Sequence, residues 1–67
     1  MKSFQDRLKE LREENGLSQS QLAKETNLSQ AAISLWEDGQ RIPNAQVIII
    51  LARYFKVSTD YLLGVTD

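Results

Sequence analysis

The sequence predicts an all-α fold, a compact five-helix domain that spans residues 1–67. Three observations predict it. Apolar residues recur at intervals of three and four, a Ser or Asn stands at the start of each periodic segment, and Gly, Asn or Pro separates most of the segments. A chain of 67 residues has room for a single small core. Since no alternating strand pattern competes, we expect helices throughout.

The first helix is predicted over residues 4–15. Ser3 precedes it and is a favoured N-cap residue, while Gly16 follows it and suits a left-handed stop. Its apolar side chains recur at helical spacing and share one face: Phe4, Leu8 and Leu11. This face is expected to meet the core.

The second and third helices lie close together in the chain. Ser18 and Gln21 form a capping-box sequence at the start of the second helix, which runs about two turns to Asn27, a residue that tolerates the left-handed conformation. Ser29 caps a third helix over residues 30–37. A three-residue connection between two short helices predicts a helix-turn-helix formed by helices two and three.

The fourth and fifth helices complete the domain. Pro43 keeps the residue before it out of the helical region, and Asn44 then caps a helix over residues 45–55. Ser58 caps a last short helix that Gly64 ends. The third helix turns Trp36 inward, where an indole is far more often core than ligand platform.

The composition argues against an enzyme. The chain has neither His nor Cys, so it offers no imidazole base, thiolate zinc site or disulfide. Glu10, Glu13 and Glu14 alternate with Lys9 and Arg12, which is typical of a solvated helix face rather than an acid/base or metal site. We expect no catalytic residue, metal or cofactor.

The longest apolar run, Val47–Ala52, is six residues, far below the roughly 20 that cross a bilayer. The N-terminus carries no secretory signal, so no membrane partner and a cytoplasmic location are expected. The net charge of −1 gives no basic signature, and DNA binding would therefore have to depend on local geometry.

The outer face of the third helix is short-chained and uncharged near its start. Gln can bond adenine through two hydrogen bonds, Ser can donate or accept, and Ala or Leu can contact a thymine methyl group. The residues on this side are Gln30 at its margin, Ala31, Ser34, Leu35 and Asp38. An ordinary solvent-facing surface is the alternative, because this geometry also occurs in proteins that do not touch DNA.

Three motifs occur in a specific order and spacing: Leu17–Ala23 (LSQSQLA), Trp36–Gly39 (WEDG) and Asp60–Gly64 (DYLLG). Together they resemble the lambda-repressor-like, or Cro and repressor, family of helix-turn-helix domains over nearly the whole chain. The resemblance implies a prokaryotic or phage regulator with a five-helix fold. It also implies that the third helix enters the major groove of double-stranded DNA, usually as a homodimer.

The resemblance also implies residue roles. Base-reading positions are Gln30, Ala31, Ser34 and Leu35, and positions along the phosphate backbone are Gln19, Ser29, Arg41 and Asn44. Gln19 would in addition support the recognition helix, whereas Asn44 serves equally well as an N-cap. Leu35 and Gln40 replace residues that are commonly polar or basic in the family. We therefore expect weaker and less salt-sensitive binding than in a basic relative.

Two further contacts are expected. The family pattern implies a partly buried ion pair between Arg12 and Glu37. In the fourth helix, one apolar stripe faces the core, namely Ala45, Ile48, Leu51, Ala52 and Phe55, while a second stripe of Val47, Ile50 and Tyr54 lies about 130° away. The second stripe predicts a homodimer interface, unless a neighbouring helix of the same chain covers it.

The function predicted from these observations is a sequence-specific transcriptional regulator, a repressor that binds a palindromic operator as a dimer. Two alternatives stay open: the antitoxin of a toxin pair, and a protein-interaction module that has lost DNA binding. A second protein partner would then be a toxin, an antirepressor or a fused sensor domain. Whether the chain is a complete single-domain regulator or the N-terminal part of a longer one stays open as well.

Overall fold

The computed structural model describes residues 2–66, and within them the chain folds into helices without any strand. The helices are α1 (Phe4–Glu14), α2 (Gln19–Thr26), α3 (Gln30–Glu37), α4 (Ala45–Phe55) and α5 (Thr59–Leu63). The predicted all-α class is confirmed, and the bounds of α3 and α4 match the prediction. Helix α1 ends one residue early because Asn15 leaves the helical region before the left-handed Gly16.

Side-chain caps define where most of the helices begin. The oxygens of Ser18, Ser29, Asn44 and Ser58 each accept a hydrogen bond from the backbone N–H three residues on, over 2.9–3.2 Å. The predicted N-cap position of Ser3 is confirmed, but its side chain caps no backbone N–H. Its hydroxyl donates to the Asp6 carboxylate at 3.1 Å, since a carboxylate is a strong hydroxyl acceptor.

Left-handed residues end several helices. Asn27 adopts φ 58° after α2 and Gly64 adopts φ 80° after α5, as the sequence predicts. Lys56 also adopts φ 59°, at the end of α4, although no glycine stands there. The bond from Val57 N–H to the Ala52 carbonyl at 3.0 Å and the packing of Val57 against the core offset the strain of this conformation.

The core draws on all the helices. Helix α2 packs on α3, α1 packs on both α3 and α5, and α4 packs on α5 and α2. The buried apolar side chains are Leu8, Leu11, Leu22, Ala23, Ile33, Trp36, Ile48, Leu51, Ala52 and Leu62. The core role of Trp36 is thus confirmed, and small Ala23 lies buried where α2 meets its neighbours.

The two stripes predicted on α4 need correction. Ala45 is exposed rather than inward, whereas Val47 and Tyr54, predicted to be free for a second copy, pack against the core of their own chain. Both α2 and α5 pack on α4, and together they cover more of its surface than the single predicted inward stripe. Ile50 remains exposed at 38%, beside an exposed Ile49 that the sequence did not single out.

Candidate nucleic-acid interface

The connection between α2 and α3 is a tight, anchored turn. Asn27 takes the left-handed conformation, and the Leu28 N–H then donates to the Ala23 carbonyl at 2.9 Å. The Leu28 side chain packs against the core, and Ser29 caps α3. Helices α2 and α3 are therefore held against each other by hydrogen bonds and apolar contact at the turn itself.

The two sides of α3 differ sharply in burial. Ile33 and Trp36 are buried on the inner side. On the outer side the predicted base-reading residues come together: Gln30 and Ala31 are exposed, and Ser34 and Leu35 are partly exposed. Ala32 is partly buried and packs against the core. Leu35 is not among the described apolar side chains that pack there.

A network of charged side chains fixes the orientation of α3. Arg12 Nε donates to Glu37 Oε2 at 2.6 Å and Arg12 Nη2 donates to Glu37 Oε1 at 2.9 Å, a fork-to-fork ion pair. Arg12 Nη1 donates to the Leu17 carbonyl at 2.8 Å, and Gln19 Nε2 donates to Glu37 Oε1 at 3.2 Å. Glu37 therefore joins α3 to both α1 and α2.

This network is almost closed to solvent. The side chains of Arg12 and Glu37 are 12% and 3% exposed. The hydrogen bond to Glu37 raises the pKa of Arg12 above its ordinary value, with burial opposing the shift. Because Arg12 neutralises the carboxylate of Glu37, this residue adds no net negative charge to the outer face of α3.

The predicted phosphate-contacting residues lie at helix N-termini or in a loop. Gln19 is the first residue of α2, Ser29 and Asn44 are the N-caps of α3 and α4, and exposed Arg41 lies in the loop before α4. Asn44 accepts from the Val47 N–H, so its capping role is confirmed. The first N–H groups of a helix have no intrahelical acceptor and carry partial positive charge, which suits phosphate.

A buried arginine was missed by the sequence reasoning. Arg7 is 4% exposed, its guanidinium lies 3.9 Å from the centre of the Tyr61 ring, and its Nη2 donates to the Thr66 carbonyl at 3.1 Å. The signal was present in the helical spacing, because position 7 falls on the same face as Phe4, Leu8 and Leu11. This arginine joins α1 to α5 and lies outside the candidate interface.

Across residues 2–66, no group of three or more potential ligands among Asp and Glu is arranged to hold a metal ion. Within the same range, none of the helices has the length and apolar character to cross a membrane. Glu13 and Glu14 are exposed on α1, and Glu10 pairs with Lys2, as expected for a charged surface.

The chain is similar in sequence to known helix-turn-helix proteins. A family model described as helix-turn-helix matches residues 8–62. The HTH-type transcriptional activator BcrR of Enterococcus faecalis is 38% identical over 61 residues, which is 91% of this chain and 30% of BcrR. The chain thus spans less than a third of this relative and is similar to one part of a longer protein.

Two solved structures share the fold closely. A transcriptional regulator from Listeria innocua superposes with a TM-score of 0.87 and 31% identity over 97% of this chain and 61% of that one. The P22 c2 repressor, crystallised in complex with a synthetic operator, superposes with a TM-score of 0.86 and 30% identity. That superposition covers 94% of this chain and 96% of the repressor.

Proposed function

The chain belongs to the lambda-repressor-like helix-turn-helix family, and we propose that it is a sequence-specific transcriptional regulator that binds double-stranded DNA. The observation that carries the proposal is the outer face of α3: the Arg12–Glu37–Gln19 network holds the helix from behind, and Leu35 is not among the described apolar side chains that pack on the core. The relatives named as regulators and the repressor solved on an operator support the same reading.

In the proposed complex, α3 lies in the major groove with its outer face against the base edges. Gln30 bonds adenine through its amide, while Ser34 donates to or accepts from a neighbouring base. Gln19 uses one amide N–H for Glu37 and keeps the other for a phosphate oxygen. Ser29, Arg41 and Asn44 follow the backbone with the N–H groups of the helix ends, and these contacts set the register.

The regulator is proposed to act as a repressor that occludes a promoter, as a homodimer on a palindromic operator. Two-fold dimers are the commonest assembly and read half-sites about 34 Å apart. Ile50 is the exposed member of the predicted dimer stripe, and Val47 and Tyr54 would contribute from partly buried positions. BcrR is named an activator and P22 c2 a repressor, so both regulatory outcomes occur among the similar proteins.

Selection from random-sequence duplexes tests the proposal directly. We expect an enriched motif with two-fold symmetry, and an electrophoretic shift that weakens as salt rises. The salt dependence should be shallow, because α3 contains neither Lys nor Arg and Arg41 is the one cation among the proposed backbone contacts. A selection that returns no motif, with no shift at low salt, would overturn the proposal and favour a protein partner.

Substitution of Gln30 tests the base-reading role. Gln30→Ala is expected to weaken binding about 5- to 150-fold, equivalent to ~1–3 kcal/mol, and to relax base preference at one position of each half-site. Gln46→Ala is the matched control, since it removes the same side chain from an exposed position on α4. The control should leave the motif unchanged. An unchanged motif for Gln30→Ala would remove that residue from the interface.

A further inference from the structure

We propose that the base pairs facing Ala31 and Leu35 in each half-site are A·T pairs whose thymine methyl groups pack on these two side chains. This inference depends on the proposed function and specifies its substrate: duplex DNA recognised through the C5-methyl group in the major groove. The protein would then distinguish thymine from uracil at these positions, although the two bases pair identically.

The chemistry of α3 works against guanine. The commonest specific contact in the major groove is an Arg or Lys that bonds the O6 and N7 acceptors of guanine. Helix α3 contains no cation, and Glu37 is already occupied by Arg12. Asp38, the exposed C-cap, cannot bond the acceptors of guanine, but as an acceptor it matches the amino group of cytosine, at the opposite end of α3 from Gln30. Ser34 can donate or accept and so does not discriminate between bases, whereas the amide of Gln30 matches adenine.

The placement of Leu35 supplies the second argument. Leu35 and Ala31 are spaced i and i+4, so their side chains are neighbours on the outer face. Leu35 is the large apolar residue of α3 that does not join the core, and it is only partly exposed. A leucine and an alanine side by side form an apolar spot with no hydrogen-bonding group. In the major groove of DNA, the apolar group that fits such a spot is the thymine methyl.

Three libraries of random duplexes test the inference. One contains ordinary bases, the second has deoxyuridine in place of thymidine, and the third has 5-methylcytosine in place of cytosine. The ordinary library should yield A·T pairs at fixed positions in each half-site. With deoxyuridine this enrichment should fall, and with 5-methylcytosine the methylated base should appear at positions otherwise held by thymine.

Single replacements then measure the effect on the selected duplex. Removing the methyl group from one contacted thymine should weaken binding about fourfold, the equilibrium value of one buried methylene-sized group. Replacing that thymine with cytosine should weaken binding, and 5-methylcytosine should recover part of the loss. Thymines in the flanking sequence serve as controls, since their replacement should leave affinity unchanged.

A variant identifies the side chain responsible. Leu35→Ala should reduce the thymine-to-uracil difference at one position of each half-site, while Ile49→Ala, which trims an exposed isoleucine on α4, should preserve it. Circular dichroism checks that both variants fold. Equal affinity for thymine and uracil duplexes in the parent protein would overturn the inference and leave DNA binding intact. Failure of all three libraries to bind would instead overturn the proposed function, and the inference with it.

Discussion

Helix α1 holds two arginines, five residues apart, by different chemistry: Arg7 is buried and Arg12 is partly buried. Arg12 forms a bidentate ion pair with the carboxylate of Glu37 on α3. Arg7 lies over the ring of Tyr61 on α5 and donates to the Thr66 carbonyl. The first arrangement sets the angle of the candidate recognition helix, and the second holds the last helix. A small domain can therefore use one helix to position two others through the same residue type.

The largest expected effect is at the charged pair. Arg12→Ala should lower the free energy of unfolding by about 3–5 kcal/mol, because it leaves the carboxylate of Glu37 buried without its cation. Urea unfolding followed by circular dichroism measures this loss. Arg53→Ala is the matched control, since it removes an exposed arginine from α4 and should cost less than about 0.5 kcal/mol.

A loss of this size threatens the folding of the whole domain, so a milder variant is needed. Arg12→Lys keeps the charge but cannot reproduce the planar fork. The free energy of unfolding of Arg12→Lys should lie between those of the parent protein and Arg12→Ala. If Arg12→Ala and Arg53→Ala proved equally harmless, the pair would contribute no net stability.

A smaller effect is expected at Arg7, the arginine of α1 that contacts α5. Arg7→Met keeps much of the side-chain volume but removes the cation, and we expect a loss of about 2 kcal/mol from its contacts with the Tyr61 ring and the Thr66 carbonyl. A double-mutant cycle with Tyr61→Leu isolates the ring contact and should give a coupling of about 0.5–2 kcal/mol. A coupling near zero would assign the burial of Arg7 to other contacts.

The smallest effect is expected at a third pair, which joins α1 to the residues before it and is open to solvent. Lys2 and Glu10 form an ion pair with side chains 52% and 32% exposed. Lys2→Ala should change the free energy of unfolding by less than about 1 kcal/mol, and the change should vanish at high salt. A loss as large as that of Arg12→Ala would show that burial does not set the difference between these pairs.

Much of the fold was predictable because its signals are local. The caps at Ser18, Ser29, Asn44 and Ser58 lie next to the helices that they start, and the left-handed Asn27 is marked by its own residue type. The Arg12–Glu37 contact, in contrast, was implied by the family resemblance and not by spacing. The candidate face of α3 followed from periodicity, which predicts directions around one helix well.

The failures involve competition or long-range packing. The Ser3 hydroxyl donates to the nearby Asp6 carboxylate instead of capping the helix. Lys56 adopts a left-handed conformation that its residue type does not predict, because tertiary contacts favour it. Val47 and Tyr54 were assigned to a free stripe because periodicity gives the direction of a side chain but not which helix lies there. Arg7 was missed because Tyr61 and Thr66, which it contacts, lie more than 50 residues away in the sequence.

Glu37 accepts hydrogen bonds from Arg12 and Gln19, and so it couples three helices through one carboxylate. Under the proposed function, a surface braced in this way cannot reshape itself to suit an imperfect site. The DNA duplex would therefore have to bend or twist until both half-sites contact the protein. The stiffness of the central base steps, which no side chain reaches, would then influence how tightly a given site is held.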